Sequence, residues 1–164
     1  MLTAARYHAW LSEEAVSYVA LPDYALDYSA RAEARLLRGE GSGSATAGGT
    51  TGKAPAGEPP SYLHEVWRSA HWRLFAVLGA RALAQAPATL TAMTTDSFTL
   101  NTPSAGTFTV RVHFTPYWAL ESGLGCVSRA PGNWTQVQTR GPGTVRVGIE
   151  FSLARVFDRG ARCD

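Results

Sequence analysis

Gly106-Thr107-Phe108-Thr109-Val110-Arg111-Val112-His113-Phe114-Thr115-Pro116-Tyr117-Trp118 is the stretch whose pattern decides the fold. Phe108, Val110, Val112 and Phe114 alternate with Thr107, Thr109, Arg111, His113 and Thr115, the period-2 signature of a half-buried antiparallel strand. The best-matched partner in the chain is Thr144 to Ser152, where Val145, Val147, Ile149 and Phe151 face one way and Arg146 and Glu150 the other. Each run follows a turn signal, Pro103-Ser104-Ala105-Gly106 and Gly141-Pro142-Gly143. The pattern specifies a β-rich C-terminal half. It specifies no activity.

Working outward, Leu90 to Met93, Ser97 to Leu100 and Trp134 to Thr139 complete a set of about five strands at the spacing of a sandwich. Residues 87–164 are therefore expected to form an antiparallel β-sandwich lobe, with Leu153 to Asp164 as its tail. Upstream the pattern changes. Leu2, Tyr7, Trp10 and Leu11 share one face of a short helix, and Val16 to Leu21 reads as a strand buried on both sides and stopped by Pro22. Ser29 is placed to cap a second helix, Ala30 to Arg38. Leu63, Val66, Trp67 and Ala70 stand at i, i+3, i+4, i+7, which predicts an amphipathic helix from Ser61 to Ala70. His71 to Leu78 then reads as a strand pairing with Val16 to Leu21. Residues 1–38 with 61–86 thus make a small α/β lobe, and the fold class expected for the whole chain is α+β.

Between these pieces, residues 39–60 are dominated by Gly, Ser, Thr, Ala and Pro and hold no large apolar side chain. Such a segment cannot offset its ordering entropy by burial, so a disordered loop is expected. Ala47 to Ala54 imitates a phosphate-binding loop, with Ala where the first Gly and the Ser/Thr belong. Gly41 to Thr46 imitates a dinucleotide fingerprint without its third Gly. Neither sits between a strand and a helix, so neither is read as a site.

The 164 residues carry a net charge of +2 with Arg and acidic residues interspersed, which gives no basic stripe for nucleic acid. No apolar run approaches the roughly 18 residues of a spanning helix, and the first residues do not have the layout of a secretory signal. By these features alone the chain is expected to be soluble and cytoplasmic. Cys126 and Cys163 lack CxxC spacing and make a poor metal site. In a reducing compartment they would be two free thiols; in an oxidising one, a bridge would tie the tail to the β lobe.

Chemistry is sparse. A hydrolase needs a nucleophile, a base and an orienter, or two placed carboxylates. Asp23 and Asp27 lie i, i+4 in a turn-rich stretch with His64 and His71 as the nearest histidines, while His113 belongs on the outer face of its strand. Solvated or structural roles account for all of them, no established catalytic or zinc spacing is present, and no cofactor or metal is expected. Tyr117, Trp118 and Trp134 form the one dense aromatic cluster. They would either stack on sugar faces at the rim of the β lobe or plug one end of its core. Asn133-Trp134-Thr135 matches a glycosylation acceptor, a pattern common by chance.

Several phrases together resemble a known group. Trp10-Leu11, Val16 to Asp23, Leu26 to Glu33, His71 to Val77, Phe114 to Trp118 and Pro142 to Val145, in that order, are similar to the C-terminal extracytoplasmic region of actinobacterial polytopic membrane proteins. These look like multi-spanning lipid-linked-sugar glycosyltransferases and YfhO-type membrane proteins. The resemblance implies a non-catalytic domain outside the membrane, partnered by the transmembrane part of the same polypeptide, with a glycan or lipid-linked sugar as the ligand class. It also implies an oxidising compartment and hence a Cys126–Cys163 disulfide.

Overall fold

The computed structural model describes residues 2–40, 57–151 and Cys163. The loop residues 41–56, both loop look-alikes within them, and the tail residues 152–162 lie outside the described residues. Antiparallel β-sheet dominates, and the chain divides into two compact units, Met1–Arg81 and Ala82–Asp164.

In the first unit, α1 (Ala4–Glu13) starts at Thr3, whose hydroxyl accepts the Arg6 N–H, and buries Tyr7 and Leu11. Its end is a left-handed turn at Ala15, with Val16 N–H donating to the Leu11 carbonyl and Ala15 N–H to that of Ser12. β1 (Tyr18–Pro22) follows. Val19 and Leu21 are buried while Tyr18 and Ala20 are exposed, so this strand has one buried face rather than the two expected. α2 (Arg31–Leu37) is preceded by Ala30, which makes no side-chain cap. The expected cap Ser29 instead donates its hydroxyl to Asp27, whose same oxygen accepts the Ala30 N–H, closing an Asx turn.

The predicted helix from Ser61 to Ala70 is a strand, β2 (Leu63–Arg68), paired with β3 (Trp72–Val77). A register shift between Glu65 and Trp67 leaves Val66 as an extra residue, and this bulge converts a period-2 pattern into apparent helical spacing. β3 pairs with β1 as expected, Val19 opposite Phe75, in a sheet ordered β1-β3-β2. One face of this sheet and the two helices share a core of Tyr7, Leu11, Leu21, Leu37, Leu63, Phe75 and Val77 among others. Tyr7 donates to the Glu33 carboxylate, joining α1 to α2; its burial, with Glu33 beside it, pushes the phenol pKa well up.

The second unit holds a four-stranded and a three-stranded sheet. The first is ordered β4 (Thr89–Met93), β5 (Ser97–Thr102), β10 (Gly143–Ile149), β7 (Trp118–Ser122); the second is β6 (Gly106–His113), β9 (Trp134–Thr139), β8 (Gly125–Arg129). The opening stretch is β6, but its partner is β9, with Phe108 opposite Val137, and the expected partner β10 lies between β5 and β7. The two runs meet instead through side chains: Val110 from one and Val145 and Val147 from the other belong to a single hydrophobic cluster. Residues 82–86, grouped by sequence with the N-terminal lobe, run along β6, where Arg111 N–H donates to the Leu83 carbonyl and Gln85 N–H to that of Thr109. Buried Thr135 and Thr139 donate to the Val112 and Ser104 carbonyls, so burying their hydroxyls leaves no orphan donor.

Candidate functional site

The predicted aromatic cluster is split by burial. Trp118, at the start of β7, is 8% exposed; its ring meets Phe98 edge-on at 5.4 Å and its Nε1 donates to the His113 carbonyl at 3.0 Å. Trp134, at the start of β9, is 9% exposed and stacks on His113 at 4.7 Å. Its indole also lies over Gly132, where a Cβ would come within 2.8 Å of Nε1. Both indoles are therefore packed rather than open, Trp118 within the hydrophobic cluster of the second unit and Trp134 against His113 and Gly132. Tyr117 alone is open, at 48%, with its ring against Phe151.

Cys126, in β8, is bonded to Cys163, with Cα atoms 5.2 Å apart. The bridge ties a residue one step from the C-terminus to the three-stranded sheet.

Of the residues considered for catalysis, the structure pairs Asp23 with His71, while Asp27 engages its own turn. Asp23 Oδ2 lies 2.8 Å from His71 Nδ1, and Asp23 N–H donates to the His71 carbonyl at 3.0 Å. These two bonds tie the end of β1 to the β2–β3 turn. Asp27 faces away into its Asx turn, where the Ser29 hydroxyl and Ala30 N–H hold its carboxyl below the usual range. Ser69, the nearest hydroxyl in the turn, accepts the N–H groups of His71 and Trp72 and shapes the hairpin. Both members of the pair are well exposed. Asp23 orients the His71 ring at a position open to water, and no nucleophile or third orienting group is bonded to the pair. His64 stands on the exposed outer face of β2, and His113 on the rim of β6. Among the described residues no three His, Cys, Asp or Glu side chains converge as a metal site, and no helix is long and apolar enough to cross a membrane.

Two features escaped the sequence reading because each needs the tertiary fold. The first is a cleft of about 310 Å³ at the end of the three-stranded sheet of the first unit, where Asp23, His71 and Trp72 meet Arg38, Arg68 and Arg73. Glu65 on β2 bonds both Arg68 and Arg73, at 2.6 to 2.9 Å, and the Arg68 guanidinium foremost brings its carboxyl down to about 2. Arg38, the residue that ends α2, has no ion-pair partner among the described residues. A second cleft, of about 550 Å³, shares Asp23 and Arg38 with the first and is also lined by Tyr24, Arg31 and Arg35. The second feature is the outward face of the same sheet. Registers place Tyr18 and Ala20 of β1, Trp72 and Leu74 of β3, and His64 and Trp67 of β2 on one side, and both indoles are half exposed. Comparison of the chain with models of protein families, with curated proteins and with solved structures finds no match to any.

Proposed function

We propose that this chain is a non-catalytic, extracytoplasmic domain of a larger polytopic membrane protein of the glycosyltransferase-like kind, acting at the cell envelope. Its partner would be the transmembrane part of the same polypeptide. The observation that carries the reading is the Cys126–Cys163 disulfide, because such bonds persist in oxidising compartments and are rare in reducing ones. The C-terminal unit is read here as a β-sandwich: strands of both sheets supply the one cluster of Phe98, Leu100, Val110, Val127, Val137 and Val147, which is the way two stacked sheets bury their inner faces. Such a unit is a rigid carrier. The chemistry of the parent would lie on its membrane-proximal loops.

The test is made on the protein in its source cell. Antibody against this domain should stain a band much larger than 17.6 kDa in the membrane fraction. Cys126 and Cys163 in that band should resist maleimide until a reductant is added. A soluble 17.6 kDa band with freely reacting thiols would overturn the proposal.

Half-exposed Tyr117 at the rim of the second unit favours one alternative, a free-standing carbohydrate-binding module. With Trp118 and Trp134 packed inside, that reading rests on Tyr117 for contact and on the two indoles for support. It expects Tyr117→Ala to abolish binding of cell-wall glycans while melting is unchanged, and it fails if that variant binds normally.

A further inference from the structure

We propose that the paired clefts at the sheet end of the first unit bind an acidic glycan, a sugar chain bearing carboxylate or phosphate groups. This deepens the envelope-domain reading and rests on it only for where such a glycan is met.

Charge, shape and surface type together favour such a ligand. Of the three guanidiniums lining the first cleft, Arg68 and Arg73 already share the Glu65 carboxylate. Asp23 adds a second negative charge, so the cleft with its flanking carboxylate holds three positive charges against two. Arg38 is the one of the three without an ion-pair partner among the described residues, and it lines both clefts. In the second cleft Arg31, Arg35 and Arg38 follow one another at i, i+4, i+7, which sets them along one side of α2 and its cap. A guanidinium offers a planar fork matched to carboxylate or phosphate, so spaced Arg residues suit a ligand with spaced acidic groups.

One aromatic residue lines each cleft. Trp72 lines the first cleft at 47% exposure, and Tyr24 lines the second at 79%. Exposed rings beside hydrogen-bonding groups fit a pyranose, which presents apolar C–H faces and a polar edge. Asp23, Ser69 and His71 line the same cleft as Trp72 and offer polar groups there. Single-stranded nucleic acid, the other polyanion that stacks on aromatics, suits this path less well. It carries a charge at every residue and calls for a groove of one sign, whereas Asp23 and Glu40 interrupt this one.

The test titrates the whole chain with four probes: a hyaluronan hexasaccharide and phosphomannopentaose as the acidic glycans, chitohexaose as the neutral one, and an oligothymidylate. At least one acidic glycan should bind roughly tenfold or more tighter than chitohexaose and the oligonucleotide, and more weakly as salt is raised. Which of the two binds identifies the acid. Arg38→Gln should weaken that binding about fivefold or more with an unchanged Tm, and Trp72→Ala about tenfold, with Trp72→Phe restoring much of it. Arg140→Gln, in the other unit, should bind as the unaltered chain does. The proposal is overturned if neither acidic glycan binds, if chitohexaose or the oligonucleotide binds as tightly, or if Arg38→Gln and Trp72→Ala bind normally. None of these outcomes bears on the thiol and fractionation test, so the ligand and the location stand or fall separately.

Discussion

Trp118, Trp134 and Tyr117 differ in what a truncation would remove, although the sequence puts them in one cluster. Each indole fills enclosed space, so Trp118→Ala and Trp134→Ala should each cost about 3–5 kcal/mol by urea denaturation, while Tyr117→Ala costs far less. The choice between stacking platform and core plug was open in the sequence because period 2 stops at Pro116, and nothing after it says which way a ring turns. Glu65 gives a second test. Two guanidiniums depress its pKa from near 4.5 to about 2, so its contribution is complete above the unfolded value and disappears as the pH falls to about 2. Glu65→Gln should therefore lower stability by roughly 1 kcal/mol at neutral pH. The gap between the variant and the unaltered chain should close between pH 4.5 and about 2, as read from urea midpoints across that range.

Both helices end in the same hydrogen-bond pattern, but they tolerate different residues there. α1 ends with Ala15 in the left-handed region at φ 53°, so a Cβ is accepted in that motif at a cost. α2 ends with Gly39 at φ 74°, with Gly39 N–H donating to Leu36 and Glu40 N–H to Arg35. A Cβ on Gly39 would lie 2.1 Å from the Gly57 carbonyl carbon, a close approach of two backbones that Ala15 does not face. Gly39→Ala should thus lose at least about 2 kcal/mol, above the cost of its φ alone, with far-UV circular dichroism during urea titration as the readout. The helix end itself was legible, since Gly follows the last apolar residue of a strong helix-forming run. β2 was not: one bulge at Val66 shifted the phase, and the apolar spacing then matched a helix template better than a strand. Strand pairing was illegible for a related reason. Alternation tells which face of β6 is buried, whereas its hydrogen-bonded neighbour depends on a lateral order that no side-chain pattern records. β7 and β8 are absent from the expected strands because each is five residues long and neither keeps an apolar alternation over its length. The candidate clefts were invisible in the sequence because their arginines come from two stretches about thirty residues apart, Arg31 to Arg38 and Arg68 to Arg73.

At the scale of the molecule, apolar burial is partitioned. Every member of the cluster around Phe75 comes from the first unit, and every member of the cluster around Phe98 from the second. Phe75 and Phe98 are each essentially inaccessible, so truncating either leaves a cavity that its own cluster must absorb. Phe75→Ala should strip protection from the β1 and β3 amides in hydrogen exchange, while the β5 and β10 amides keep theirs; Phe98→Ala should do the reverse. The disulfide sharpens the contrast, since both of its cysteines belong to the second unit and are 37 residues apart. Closing a loop of that length removes unfolded-state entropy worth about 4 kcal/mol, an upper figure when nothing else opposes it. Joint replacement of Cys126 and Cys163 by Ser, or reduction with dithiothreitol, should therefore lower the protection of β5, β9 and β10 and leave β1 and β3 unchanged. If both sets of amides lose protection together, the two cores unfold as one cooperative body and the partition of apolar burial does not set the unit of unfolding.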